Sequence, residues 1–473
     1  MNSKKPKNTQ KEVLSNMINQ NVDFENPKTE IQCEFGEAIR ELQISKLLTK
    51  SNIKGKSGKS FYEVFQFLLL LVFQNCNLYH FLNSKKKDTA FSKNTYYRFL
   101  NNVSFNWVKF ISLLAAKVTA YLDKLTKAKR VMCLVLDDSV ITRERSKKVE
   151  LLSYVFNHVI GKTVKGFNLL TLGWTDGYSF IPVGFNMMAS AKESKRIVQA
   201  NQSIDKRSNG GKARKNAVLQ KPEAAMQLIH NALNVGIKAS YVLMDTWFTN
   251  EPLIANILTE GLDVIGMLKD NKQCYIYKNK KYNLKQLGKL VSFNQTCNIL
   301  FSIRVRTGKK NIPVKLVFVR NRNNYNEYIV LLSTDCTLSN EEIVRIYGNR
   351  WSIEVFFRAS KSLLDLGSEF QGLSYDMTVS STAIVFTRYI LLEWLRRKKN
   401  DEKTICELFY VCCDDIQDME FTTALKQLLE LLANGLKNKI ITITSEFKSQ
   451  LINWFVSQPA FIQALYPNFR WEV

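Results

Sequence analysis

Tyr347, Arg350, Glu354 and Lys361 stand at offsets 0, 3, 7 and 14 of a segment that also carries Ile346, Ile353, Val355, Phe356, Phe357, Leu363 and Leu364. At about 100° per residue the four polar side chains fall within about 60° of one helix face. The remaining circumference is apolar enough for burial. A buried helix rarely keeps a carboxylate flanked by a Tyr, an Arg and a Lys unless that stripe has chemistry to perform. The fold must therefore pack this helix on most sides and leave one side for a reaction.

Charge narrows the reaction. The chain of 473 residues carries 67 Lys and Arg against 42 Asp and Glu, a net charge of +25. That exceeds what solubility needs and makes a polyanion the natural partner, nucleic acid ahead of an anionic membrane surface. Phe67 to Phe73 is too short to span a bilayer, and the run Ala383 to Leu395 is interrupted by Arg388. No signal peptide is expected from the polar start, Met1 to Lys11. Nine Cys without a Cys-x-x-Cys pair, and only His80, His158 and His230, leave a zinc site almost no ligands. The Cys read as reduced, buried apolar residues of a cytoplasmic protein. A hard metal held by carboxylates remains open.

Residues 1 to about 58 read as a polar, lysine-dotted, mobile arm with an amphipathic stretch near Glu37 to Leu48. Helices follow at Phe61 to Leu82, at Tyr96 to Asn101 behind the caps Ser92 to Thr95, and at Asn106 to Thr126. With the basic turn Ser84 to Asp88 between them, the first two resemble a helix-turn-helix offering Lys93, Tyr96, Tyr97 and Arg98 to a groove. An ordinary helical bundle fits the pattern equally well.

The period then shifts from 3.6 to short β runs. Val131 to Leu136 predicts a buried strand ending in Asp137-Asp138. Gly166 to Thr175 and Tyr178 to Asn186 flank the hairpin signal Asp176-Gly177. The span 192 to 221, with nine Lys or Arg, two acids and Gly210-Gly211, reads as a mobile basic loop. A helix from Pro222 to Val235, a strand Ala239 to Met244 delivering Asp245, a further helix and a strand Asp263 to Leu268 complete an α/β layout with a mixed sheet. Cys274 to Tyr277, Ile299 to Arg306, Val314 to Val319 and Tyr328 to Leu332 are strands of an insertion. Helices are expected at about 378 to 398, 402 to 412, 418 to 434 and 446 to 456.

Asp138, Asp245 and Glu354 thus sit at two strand ends and on one packed helix, all rigid places. Brought together, three anions repel and raise one another's pKa, and the cluster makes sense chiefly with divalent cations. Two Mg²⁺ ions about 4 Å apart activate water against a phosphate and stabilise the leaving oxygen without His, Cys or an organic cofactor. Each acid also has a plain structural alternative. Asp137-Asp138 serves as a turn or cap, Asp245 as a cap for the next helix, and Glu354 as an ion pair with Arg350 or Arg358.

Ile346-Tyr-Gly-Asn-Arg-Trp-Ser-Ile-Glu354 with Lys361 resembles the Tyr-x2-Arg-x3-Glu-x6-Lys signature of bacterial insertion-sequence DDE transposases of the IS-four-type family, matching at all four positions. Leu136-Asp-Asp-Ser139 resembles the first-aspartate motif, favouring Asp138 over Asp137, and Met244-Asp245-Thr-Trp-Phe resembles the second. The similarity covers about residues 130 to 370. It implies an RNase-H-like core with a mixed sheet, interrupted by a β-rich insertion and flanked by helical N- and C-terminal regions. The implied divisions are an arm at 1–58, a helical DNA-binding domain at 59–128, core at 129–269, insertion at 270–340, core with the Glu helix at 341–400, and a helical end at 401–473.

The same resemblance implies cut-and-paste transposition of double-stranded DNA. The inverted-repeat ends are nicked and carried through a hairpin, and the 3′ ends are joined to target DNA. Asp138, Asp245 and Glu354 would hold Mg²⁺, with Mn²⁺ able to substitute. Tyr347, Arg350 and Lys361 would grip phosphates. Trp351 would either face an unstacked base or pack in the core, and Arg143 and Arg145 would either touch flanking backbone or lie in a solvated loop. Synapsis of two ends implies a homodimer, on nucleoid DNA in the cytoplasm and without a membrane. Two rivals stay open: a nuclease of the same fold without strand transfer, and a catalytically silent DNA-binding relative.

Overall fold

The computed structural model describes residues 34–55, 61–84, 91–125, 130–270, 273–290, 298–321, 327–370, 372–399 and 401–416. They fall into two units. One spans residues 38–410; the other joins the chain ends, and its described residues, 34–37 and 411–416, are helical. The first 33 residues of the expected arm, most of the basic turn at 84–88, and the helices expected at 418–434 and 446–456 lie outside the described residues.

The larger unit is organised by an 11-stranded sheet. Its core strands are β1 (Cys133–Thr142), β3 (Lys162–Thr175), β4 (Phe180–Met188), β5 (Tyr241–Met244) and β6 (Asp263–Leu268), in the spatial order β4-β3-β1-β5-β6. β4, β3 and β1 run antiparallel, β3 and β4 joined by a tight turn and β1 and β3 by residues 143–161, while β1, β5 and β6 run parallel. Parallel neighbours need crossovers, supplied by the helices Lys221–Asn234 and Glu251–Thr259. This three-antiparallel, two-parallel order is the RNase-H-like arrangement. The short strand β2 (Ser153–Asn157), which the sequence pattern did not reveal, pairs with the first part of β3.

The insertion is continuous with this sheet. β11 (Tyr328–Ser333) lies antiparallel to β6, and β10 (Pro313–Arg320), β9 (Ile299–Thr307), β7 (Tyr275–Tyr277) and β8 (Lys280–Tyr282) follow outward. On the core face lie the helices Trp107–Leu125 and Tyr375–Lys399. Ser112 donates to the Val183 carbonyl at 3.0 Å, and Phe386 meets Phe185 and Phe356 with centroids 5.0 Å apart in each case. Arg388, the charge inside the apolar run, is fully buried. It pairs with Glu369 and donates to the carbonyls of Leu68 and Leu69. Among the described residues no helix is long and apolar enough to cross a membrane.

Two expectations are corrected. The later part of the arm is packed: Ile44–Lys50 is helical and buries Ile44, Leu47 and Leu48. The basic span 192–221 is likewise not a free loop, for it contains the helix Asn209–Ala217, capped by Ser208. Its Gly210-Gly211 pair serves close approach, since a Cβ at Gly210 would collide with the Asp376 carboxylate and one at Gly211 with the Asp205 carbonyl. Within that helix Arg214 bonds Glu150 at 2.7 and 2.8 Å and Asp376 at 3.0 and 2.6 Å, all three buried.

Burial alone would raise the Glu150 pKa. Bonds from Arg214 and from the backbone N–H groups of Asn201 and Tyr375 outweigh it and bring the pKa below the ordinary value. Arg214→Met would leave two buried carboxylates unpaired, an expected loss of about 3–5 kcal/mol. Because the native Glu150 pKa is depressed, the pair's stabilisation is present above the unfolded pKa and lost as pH falls through the folded one. Thermal melts of variant and parent should therefore differ most near neutrality and converge in acid. A deficit that stays constant across that range contradicts the assignment.

Candidate active site

The striped segment forms two helices rather than one, Asn340–Gly348 and Trp351–Ser362. Asn349 and Arg350 between them keep right-handed helical backbone, and the turn is tightened by i to i+3 bonds such as Arg350 N–H to the Tyr347 carbonyl at 3.0 Å. Handedness therefore carries through the break. Ile353, Phe356 and Phe357 are buried, and Glu354 is half-buried.

β1 does not stop at Leu136. It continues through Asp137-Asp138 to Thr142, with Asp137 opposite Thr171 and Asp138 opposite Leu170 on β3. Alternation then turns the two aspartates to opposite faces of the sheet. Asp137 faces the Glu354 helix and accepts from Arg350 Nη1 at 3.1 Å, while Arg350 Nη2 bonds the Glu354 carboxylate. On the same face of β1, Ser139 Oγ accepts from Lys361 Nζ at 2.7 Å.

Asp245 follows directly on β5. Leu136 pairs with Met244 in parallel register, so Asp137 and Asp245 come next on neighbouring strands. The Asp245 carboxylate accepts from the backbone N–H of Trp247 at 3.0 Å and of Phe248 at 3.1 Å. Burial, then the charge of Asp245, pushes the Asp137 pKa up to about 7 against the pull of Arg350. Burial raises the Asp245 pKa as well, against the same backbone donors and Arg350. Burial likewise raises the Tyr347 hydroxyl to about 12, with Arg350 opposing, and the Arg350 guanidinium lies 6.0 Å from the Tyr347 ring centroid.

Of the expected Asp138, Asp245 and Glu354, it is Asp137 rather than Asp138 that Arg350 joins to Glu354. Asp138, turned to the other face of the strand from Asp137, is held by Lys221 Nζ at 2.9 Å, yet its charge still reaches Asp245 and adds to the rise of that pKa; among the described residues no three His, Cys, Asp or Glu side chains form a ready metal group. Arg350 occupies the space between Asp137 and Glu354 as their common counter-ion. The donor set nonetheless fits a hard divalent cation. Asp137 and Asp245 are partly buried carboxylates that sit next to one another on neighbouring strands, and oxygen donors of this kind suit a hard divalent cation. Glu354 would join them only by releasing Arg350.

Trp351 is 55% exposed, which excludes the core-packing alternative. Arg143 is tied to the Gly367 carbonyl and is no solvated loop residue, whereas Arg145 is exposed. In the helical part, Tyr96 is buried beneath Phe67 and Phe91, so of the four residues suggested for a groove it is unavailable; Lys93 and Arg98 are exposed and Tyr97 is half-buried. Sequence reasoning did not single out Asp137, Lys221 or Trp247. The sign for Asp137 was available in Ser139-Val-Ile-Thr142, β-formers that extend the strand past the acid pair.

Crowded carboxylates on adjacent strands of an RNase-H-like sheet, opposite a helix bearing Glu, define a class of metal-assisted phosphoryl-transfer proteins. Two family models narrow this: "DDE superfamily endonuclease" matches residues 77–289 and "Transposase DDE domain" matches residues 216–369, and together they support a DDE transposase. No curated protein matches the chain. Among solved structures, the Drosophila P element transposase strand transfer complex is similar at 11% identity over 82% of this chain and 91% of that one, with a TM-score of 0.21. At that score it adds nothing to the strand order described above.

Proposed function

We propose that this chain is an insertion-sequence transposase of the Tyr-Arg-Glu-Lys type, cutting and joining double-stranded DNA at a site formed by Asp137, Asp245 and Glu354. The observation that carries the reading is the side-by-side placement of Asp137 and Asp245, with Arg350 joining Asp137 to Glu354. Asp137 takes the place expected for Asp138 because it faces the Glu354 helix. These three residues would hold Mg²⁺, two ions with Mn²⁺ as substitute. When bound, the metal polarises the scissile phosphate and lowers the pKa of the attacking water or 3′ hydroxyl.

The chain's own cations orient the strand. Arg350 is a planar fork suited to bidentate phosphate contact once a metal takes over its carboxylates. Lys361 rests on Ser139 and the Val140 carbonyl and has no acidic partner among the described residues, so its charge is available to a backbone phosphate. Arg145, Lys93 and Arg98 are exposed and would add further phosphate contacts. The action fits a homodimer holding two inverted-repeat ends on nucleoid DNA in the bacterial cytoplasm.

The reading is tested on DNA flanking the reading frame. Nicking in Mg²⁺ that stops on chelation is expected, and no nicking of any flanking end sinks the proposal. Lys361→Ala should weaken binding and reduce the slope of log affinity against log salt by about one unit. An unchanged slope removes Lys361 from the phosphate contacts.

A further inference from the structure

In the buried run Leu169-Leu-Thr-Leu-Gly173 of β3 one side chain, Thr171, carries a hydroxyl. It is fully buried, and among the described residues its Oγ1 has no hydrogen-bond partner. A buried hydroxyl without a partner is unfavourable, and the equally β-branched Val would fill the same place in a strand without that cost. The register shows where a partner stands: Thr171 lies directly opposite Asp137 on β1 and opposite Phe185 on β4. Side chains of such cross-strand pairs share a face with Cβ atoms about 4.5–5.5 Å apart, which puts a hydroxyl within reach of a carboxylate. Phe185 is apolar and buried, so Asp137 is the partner that the two neighbouring strands offer.

With Arg350 in place, Asp137 is held by two donors: the Asp138 backbone N–H reaches Oδ1 at 2.8 Å and Arg350 Nη1 reaches Oδ2 at 3.1 Å. Asp245 also accepts from two donors, but both are backbone N–H groups of its own turn, Trp247 and Phe248. Asp138, on the other face, is committed to Lys221, whose Nζ also lies 4.7 Å from the Trp247 ring centroid. Asp137 and Asp245 therefore differ in what remains when a cation displaces Arg350. Asp245 keeps both donors, whereas Asp137 keeps one. A carboxylate ligand held at one oxygen alone is free to turn, and an outer hydrogen bond is what fixes it toward a metal.

We propose that Thr171 is a positioning residue for Asp137, its hydroxyl donating to the carboxylate once Arg350 gives way to a divalent cation. The inference rests on the DNA-cleavage reading above. The hydroxyl has no partner while Arg350 supplies the second bond to Asp137, and it takes over that bond when the guanidinium leaves. One side-chain torsion brings it into place. A hydroxyl donor favours the charged carboxylate and directs its remaining lone pairs to the cation. Loss of an outer partner of this kind lowers metal affinity by about ten- to a hundredfold.

The test titrates Mn²⁺ alone into the full chain and follows the free ion by its electron paramagnetic resonance signal. The Mn²⁺ concentration for half-maximal nicking of the flanking DNA is read on the same preparations. Thr171→Val is expected to raise both midpoints by about ten- to a hundredfold, with nicking at saturating Mn²⁺ within about threefold of the parent. Thr171→Ser keeps the hydroxyl and should restore both midpoints. Without metal, Thr171→Val should melt no lower than the parent, because the group it loses has no partner in that state. Unmoved midpoints in Thr171→Val while the parent nicks DNA overturn this inference alone, and so does a slower rate at saturating Mn²⁺ with the midpoints unmoved. If the parent neither takes up Mn²⁺ nor nicks DNA, the DNA-cleavage reading falls with it.

Discussion

Asp137→Asn is expected to slow metal-dependent nicking of DNA by about a thousandfold, whereas Asp138→Asn stays within about tenfold of the parent. Charge and geometry separate the two neighbours. Asp137 shares a face of β1 with Ser139, where Lys361 and Arg350 reach the strand, and it lies in register beside Asp245. Losing its charge removes one of two crowded carboxylates and with it most of the reason for a divalent cation to settle there. Asp138 is already neutralised by Lys221, so Asn at that position perturbs a neighbouring ring and leaves the metal ligands in place. Initial rates on a supercoiled plasmid carrying the flanking DNA read the difference. Comparable losses in both variants would remove the face-based assignment.

Glu354→Gln should abolish nicking by a similar factor and leave DNA affinity unchanged or slightly improved. The Gln side chain keeps a hydrogen-bond acceptor for Arg350 four residues back, so the local helix contact survives. The missing charge can no longer exchange a guanidinium for a metal ion. It also no longer repels phosphate, which is why binding should not weaken. Gel shift and nicking are measured on the same preparation. Equal loss of affinity and of cleavage would mean that Glu354 supports the DNA surface and is not a ligand.

Much of the core was legible because its strands are short apolar runs bounded by turns. β5 and β6 are four and six residues long, and the Asp176-Gly177 turn joins β3 to β4 as its composition implies. β2 was not legible: Ser153-Tyr-Val-Phe-Asn157 alternates, yet its buried face is Ser153 and Val155 while the large rings of Tyr154 and Phe156 are exposed, so hydrophobicity points to the wrong face. The basic span 192–221 misled through composition. One of its cations, Arg214, is buried and neutralises two buried acids, and its glycines permit tight packing rather than motion.

At the site, spacing alone identified the Tyr347, Arg350, Glu354 and Lys361 stripe, because helical periodicity survives a tightened turn at Asn349-Arg350. The choice between Asp137 and Asp138 was not readable from a strand taken to end at Leu136. Side-chain direction depends on how far β1 continues, and the pairing of Asp137–Thr142 with β3 decides that. Lys221 and Trp247 were hidden for another reason. Their partnership joins residues from separate elements, and neither is unusual in its own segment.

The account is tested most directly by strand joining. A linear DNA bearing the ends that flank the reading frame, labelled at its 3′ termini, is incubated with the protein, Mg²⁺ and an unlabelled target plasmid. The expected product is target DNA covalently carrying the labelled 3′ ends, absent with Asp137→Asn and with Glu354→Gln. Cleavage of the ends with no labelled target would contradict transposition and identify a nuclease of the same fold.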